Sequence, residues 1–157
     1  MIAFTVFGVP QTAGSKRAFP ITPKGGGKPR IIITDDNPKG KGWRDSVIAA
    51  ALETRNGQNW LISPQELMTG ALSVRMRFYR PRPKGHFGKH GLNKTGRESI
   101  APTSRPDVLK LARCAEDALT GIIWRDDAQI VYETLAKWWG EPARAEIEIR
   151  QCFFMDN

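Results

Sequence analysis

Apolar residues crowd the start of the chain, Ile2-Ala3-Phe4-Thr5-Val6-Phe7, and stop at Gly8 and Pro10. That pattern predicts a first strand over 2–8. Residues 10–30 carry no such pattern and read as a Gly/Pro/Lys-rich loop, with Gly14-Ser15-Lys16-Arg17 early and Lys24-Gly25-Gly26-Gly27-Lys28-Pro29-Arg30 late. Ile31-Ile32-Ile33-Thr34 is a short β-branched run. Trp43, Val47, Ala50, Ala51 and Thr54 recur on one helical face, so a helix is expected from about 41 to 55, with Gly57 near its end. Leu72, Val74, Met76 and Phe78 alternate with polar neighbours, the period of a strand. Residues 130–138 and 143–154 read as two closing strands.

Between these lies 80–104, an aperiodic stretch beginning Arg80-Pro81-Arg82-Pro83-Lys84. A loop of that length inside one domain is usually functional or disordered. From Arg80 to Arg113 there are nine Lys/Arg against two acids, Glu98 and Asp107. A second helix is expected over about 106–119. On a helical wheel Val108, Leu111, Ala112, Ala115 and Leu119 share the core face. Lys110, Arg113 and Asp117 form a polar stripe, with Asp107 and Glu116 at its flanks. Leu109 also falls on the polar side, where an apolar residue needs a reason: a contact with another chain or loop, or replacement of a site residue. The expected fold is α+β, a small mixed β-sheet with two main helices in a single domain over 1–157, with basic loops at about 10–30 and 80–104.

Composition narrows the partner class. The 157 residues suffice for one cored domain, and 40% of them are hydrophobic. Lys and Arg number 24 against 16 Asp and Glu, a net charge of +8, with a pI near 9.9. Such a balance favours anionic partners, nucleic acid being the commonest; a merely soluble basic protein has the same charge. Cys114 and Cys152 form no CxxC pair and have no His at zinc spacing, so reduced buried thiols in a cytoplasmic protein are expected. No segment approaches the ~20 apolar residues of a membrane span, and the N-terminus reads as a strand rather than a signal.

The candidate chemistry is carboxylate chemistry. Asp107 follows Ser104-Arg105-Pro106 at a helix start, where a plain first-turn or capping acid is the bland alternative. Asp126-Asp127 could be an ordinary turn before a strand. A twelve-residue helix spans roughly 18 Å, and the return from 120 to 127 can stretch roughly 25 Å, so Asp127 can come back beside Asp107. Clustered acids beside positive surface are what a magnesium-dependent phosphodiesterase needs. Other features are weaker. His86 and His90 stand four apart, but nearby glycines argue against a helix and for solvated loop histidines. Gly25-Gly26-Gly27 lacks the ending of a phosphate loop. Trp138-Trp139 could stack on bases, but a core or interface role is the more common use.

Arg105-Pro106-Asp107-Val108-Leu109-Lys110-Leu111-Ala112-Arg113, followed by Asp117-Ala118-Leu119-Thr120-Gly121 and Trp124-Arg125-Asp126-Asp127-Ala128-Gln129-Ile130, resembles the RusA family of Holliday junction resolvases, in its phage and prophage form. Gly8-Val9-Pro10 with Lys16 and Arg17 resembles the family's N-terminal strand end and basic loop. The resemblance implies a homodimer that cuts four-way or branched DNA in recombination and repair with Mg²⁺ or Mn²⁺. It implies catalytic roles for Asp107, Asp127 and Arg113, and metal binding by Asp107, Asp126 and Asp127. The basic residues expected on DNA, from the charge and the two basic loops, are Lys16, Arg17, Arg80, Arg82, Lys84, Arg105 and Lys110. The family's second helix acid falls on Leu109. Either Asp126, Glu116 or Asp117 compensates, or the protein binds DNA structures while cutting weakly or not at all.

Overall fold

A computed structural model describes residues 1–14, 16–23, 25–28, 30–35, 37–57 and 66–152. In chain order the elements are β1 (Ile2–Phe7), β2 (Lys16–Ile21), β3 (Arg30–Asp35), α1 (Pro38–Asn56), β4 (Leu72–Arg80), β5 (Phe87–Gly88), β6 (Gly91–Leu92), α2 (Lys94–Glu98), α3 (Val108–Leu119), β7 (Ile130–Trp139) and β8 (Arg144–Gln151). The main sheet has the order β1-β8-β4-β7. Its first two pairings are antiparallel and β4–β7 is parallel, so the sheet is mixed, as expected. A parallel neighbour needs a crossover, and α3 supplies it between β4 and β7.

The alternation in β4 and β8 sorts the two faces. Leu72, Val74, Met76 and Phe78 of β4 and Ala145, Ile147 and Ile149 of β8 are buried. They meet Trp43, Val47 and Ala51 of α1 and Leu111, Ala115 and Leu119 of α3 in one core. Both long helices therefore cover one face. The opposite face is polar: Arg77 bridges Glu148 at 2.6 Å and Glu146 at 3.3 Å, and Arg144 reaches Glu146 at 2.9 Å. As the wheel requires, Leu109 is on the outside, 68% exposed.

Three expectations need correction. The 10–30 stretch is not all loop, because β2 pairs with β3 in an antiparallel hairpin. Pro20 hid that strand, but a two-stranded ribbon has free edges, where a residue without an N–H is tolerated. The first helix starts at Pro38, not near 41: Asn37 caps it by accepting from the Lys39 N–H, with Pro38 at its first position. Its first turn is mostly exposed, so the apolar periodicity begins only at Trp43. The last strand ends at Gln151, and 153–154 lie outside the described residues.

The 80–104 stretch folds into a compact excursion of a short hairpin (β5–β6) and α2. Arg82 braces it from beneath. Its Nη1 donates to the carbonyls of Gly96 at 2.6 Å and Ser99 at 3.1 Å, and its guanidinium lies 5.8 Å from the Trp139 ring centre. His86 meets the same indole edge-on at 5.4 Å, and Trp139 Nε1 donates to Ser99 Oγ at 3.1 Å. Trp139 is thus a structural anchor, while Trp138 stays 40% exposed. Gly96 sits beneath His86, whose carbonyl would collide with any Cβ there.

Candidate active site

Two clefts flank α3, one at each end. The first is built on the Arg105-Pro106-Asp107 turn. Cations from the two parallel strands hold that turn by its carbonyls. Lys137 Nζ of β7 donates to Ser104 O at 2.9 Å and Pro106 O at 2.8 Å, and Arg80 Nη1 of β4 donates to Arg105 O at 2.9 Å. Asp107 occupies the N-cap position of α3, yet its side chain makes no capping hydrogen bond. The exposed carboxylate is therefore free of the bland role open to it. Pro10, Gln11, Thr12, Arg80, Arg105 and Lys110 join it around a cleft of about 410 Å³. Three of the expected DNA-binding cations thus converge on one of the expected catalytic acids. Burial draws the Arg80 guanidinium below its ordinary pKa, and its buried Nε has no hydrogen-bond partner. A partly dehydrated cation in such a cleft favours an anionic ligand.

The second cleft opens beside the C-terminal half of α3. Its walls include Glu116, Asp127, Ala128, Val131 and Glu133, around about 310 Å³. Glu116 is half-buried and hydrogen-bonded to Glu133. Burial first, then that bond and the charges of Glu133, Asp127 and Asp117, push its pKa up to about 8. The pair therefore holds a proton at neutral pH, with Asp127 and Asp117 adding like charge.

The structure also separates scaffold from chemistry within the motif block. Gly121 turns the chain after α3 with a φ of 77°, a conformation that favours glycine. Trp124 is fully buried and donates from Nε1 to Thr120 Oγ1 at 3.1 Å. Asp126 accepts from the Ala128 N–H at 2.9 Å and Gln129 accepts from the Asp126 N–H, a capping box around the short turn Asp127–Gln129. Gln129 also donates to Met68 O and Gly70 O, clipping that turn to the start of β4. Asp127 lines the same cleft as Glu116.

A model of the RusA endodeoxyribonuclease family matches residues 20–150. This chain belongs to the RusA family. It is also 30% identical, over 151 residues and 96% of each chain, to an uncharacterized protein of Bacillus subtilis (strain 168), YqaN.

Within this RusA-family chain the expected site residues divide. Asp107 stands with Arg80, Arg105 and Lys110; Asp127 stands with Glu116 and Glu133. Glu116 lies nine residues from Asp107, about 13 Å along the helix axis. Asp127 and Asp107 line separate clefts, because the turn docks beside the C-terminal half of α3, at Glu116. Arg113 is exposed on α3 between the two clefts, one turn beyond Leu109. Asp126 serves as a cap, Arg82 as a brace, and Lys84 is exposed on the 80–104 excursion. The side chains of Lys16 and Arg17 lie outside the described residues. Glu133 escaped notice in the sequence; it stands level with Val74 in β7 but is exposed, so no break in a buried pattern marked it.

The raised pKa of Glu116 sets a stability trend. Between about 4.5 and about 8 the unfolded chain releases a proton that the folded chain keeps. The group's contribution is complete below about pH 4.5, and stability falls as pH rises through that window. Glu116→Gln keeps the neutral hydrogen-bonding shape and removes the loss. At pH 9, without divalent ions, the variant should be more stable by on the order of 1 kcal/mol, a figure reduced for a half-exposed group. Near pH 4.5 the two should melt together. Melting curves that stay parallel from pH 5 to 9 would contradict the shared proton.

Proposed function

We propose that the protein is a divalent-metal-dependent endonuclease that cuts four-way or branched DNA as a homodimer in recombination and repair. The observation that carries this reading is the freedom of Asp107: an N-cap acid that does not cap, in a cleft with three cations. Those cations suit a phosphodiester, and Asp107 suits the metal chemistry that its cleavage needs. The second cleft fits a hard cation by the nature of its donors. Its acids are all oxygen ligands, and Glu116 holds a proton where a cation could take its place. Among the described residues, no three Asp, Glu, His or Cys side chains form a ready metal cage, but Mg²⁺ commonly uses only one or two carboxylates, completed by water and phosphate.

Asp127, with Glu116 and Glu133, and Asp107 would hold Mg²⁺ or Mn²⁺, which supplies an activated water and charge neutralisation at the phosphate when bound. Asp126 has one oxygen committed to its cap and is the weakest of the expected ligands. Arg113, between the clefts, would steady developing charge. Asp107 and Asp127 line separate clefts, and pairing of two chains would offer a way to bring them to one ion. Two-fold pairing also suits symmetric cuts across a junction, and the exposed Leu109 and Trp138 suit a protein contact. A sedimentation mass of one chain at micromolar concentration would exclude this arrangement.

Leu109 favours a second reading, a junction-binding protein that cuts weakly or not at all, since it removes an acid from the helix. One assay decides between the readings. A synthetic four-way junction should be cut with Mg²⁺ or Mn²⁺ and left whole in EDTA; binding without cutting under every metal condition would establish the second reading. No helix of the described residues is long and apolar enough to cross a membrane, and a cytoplasmic setting fits a DNA substrate.

A further inference from the structure

The hairpin at 87–92 displays an aromatic ring that the fold does not need. Phe87 is 46% exposed, in a two-residue strand facing Leu92 across the pair. A single exposed apolar residue is ordinary; its setting is not. From Lys84 to Glu98 there are four Lys/Arg and two His against one acid, Glu98, which lies 3.9 Å from Lys94 on the surface. Lys84, Lys89, His90 and Lys94 are all exposed around the hairpin.

The hairpin is also held rigidly. Besides the Arg82 and Trp139 anchorage beneath it, Asn93 donates from Nδ2 to Gly85 O at 2.7 Å and accepts at Oδ1 from the Gly96 N–H at 2.9 Å. Arg97 Nη1 donates to Leu92 O at 2.6 Å. A ring on such a mount loses little conformational freedom when it is covered.

We propose that this hairpin is a wedge for the branch point of DNA, on which Phe87 stacks against a base while Lys84, Lys89 and Lys94 take the phosphates on either side. The inference rests on the branched-DNA reading above and adds the element that recognises the branch. Charge selects the occupant. A second copy of the chain would bring the same cations against these, whereas a phosphate backbone complements them. Stacking selects the form of DNA. Aromatic side chains stack on bases whose faces are open, and an intact duplex hides those faces, whereas strands that part at a junction expose them.

The test compares binding of a four-way junction and of a linear duplex of matched sequence, both in EDTA so that nothing is cut. The wild type, Phe87→Ala and Phe87→Trp are measured by fluorescence anisotropy, with 2-aminopurine at the branch point reporting unstacking. Phe87→Ala should lose about tenfold in junction affinity, keep duplex affinity within about twofold and abolish the 2-aminopurine signal, while Phe87→Trp retains all three properties. A Phe87→Ala variant with an unchanged junction-to-duplex ratio overturns the wedge and leaves the nuclease reading standing. Equal losses on both DNAs also overturn it, since they signify a general contact. A wild type with no preference for the junction overturns both readings together.

Discussion

Asp107→Asn and Asp127→Asn should each abolish cutting of a four-way junction, a loss of at least about a hundredfold on the scale of removing an essential electrostatic or metal-binding group. Junction binding should remain intact or become tighter. The two results diverge because each carboxylate adds negative charge where a phosphate would approach. Asp107 shares its cleft with Arg80, Arg105 and Lys110, so replacing its charge removes a repulsion toward phosphate. The side chain does not cap α3, so Asn at this position should cost little stability, and the loss can be read as chemistry. Asp127 sits at the start of a turn whose capping belongs to Asp126 and Gln129, which again separates activity from folding. The reciprocal change, Leu109→Asp, puts an acid on the exposed side of the same helix and should raise metal affinity and cutting rate. Single-turnover cleavage and gel-shift binding on the same preparations check these outcomes. Two Asn variants that cut like the wild type would remove both acids from the mechanism and leave the binding-only reading.

Junction affinity should fall steeply with salt. The chain carries +8, and its exposed cations gather on the Asp107 cleft and the 80–104 excursion. If six or more phosphates are contacted, affinity should drop about a thousandfold between 50 and 200 mM salt, with a straight line in log Kd against log salt. Replacing Lys110 or Arg105 should make that slope shallower by about one contact each. Arg82→Ala should behave differently. Its guanidinium braces the Gly96 and Ser99 carbonyls, so its loss should loosen the excursion rather than remove a single phosphate contact. An affinity that barely responds to salt would mean that these clefts do not face DNA.

The pattern of residues alone determined most of the framework. Strict alternation in β4 and β8 reports burial on one face of a sheet, and 3.6-residue periodicity in α3 reports one helical seam; both are local properties that sequence records directly. The motif block pointed to Asp107 and Asp127 and marked Leu109 as an acid missing from an exposed position. The β2 strand and the start of α1 were hidden, because a Pro-bearing ribbon and a solvated first helical turn leave no apolar periodicity.

Only the tertiary structure decided which acids meet. Chain length permits Asp127 to reach Asp107, but reach is an upper bound. Clipping by Gln129 to Met68 O and Gly70 O docks the turn beside Glu116, and parallel pairing with β4 carries Glu133 to the same place. Arg82 and Lys84 look alike in a basic run, yet one is turned inward by two carbonyls and an indole while the other meets solvent. Such choices depend on contacts between residues distant in sequence, 61 positions apart for Gln129 and Met68, and no local pattern encodes them.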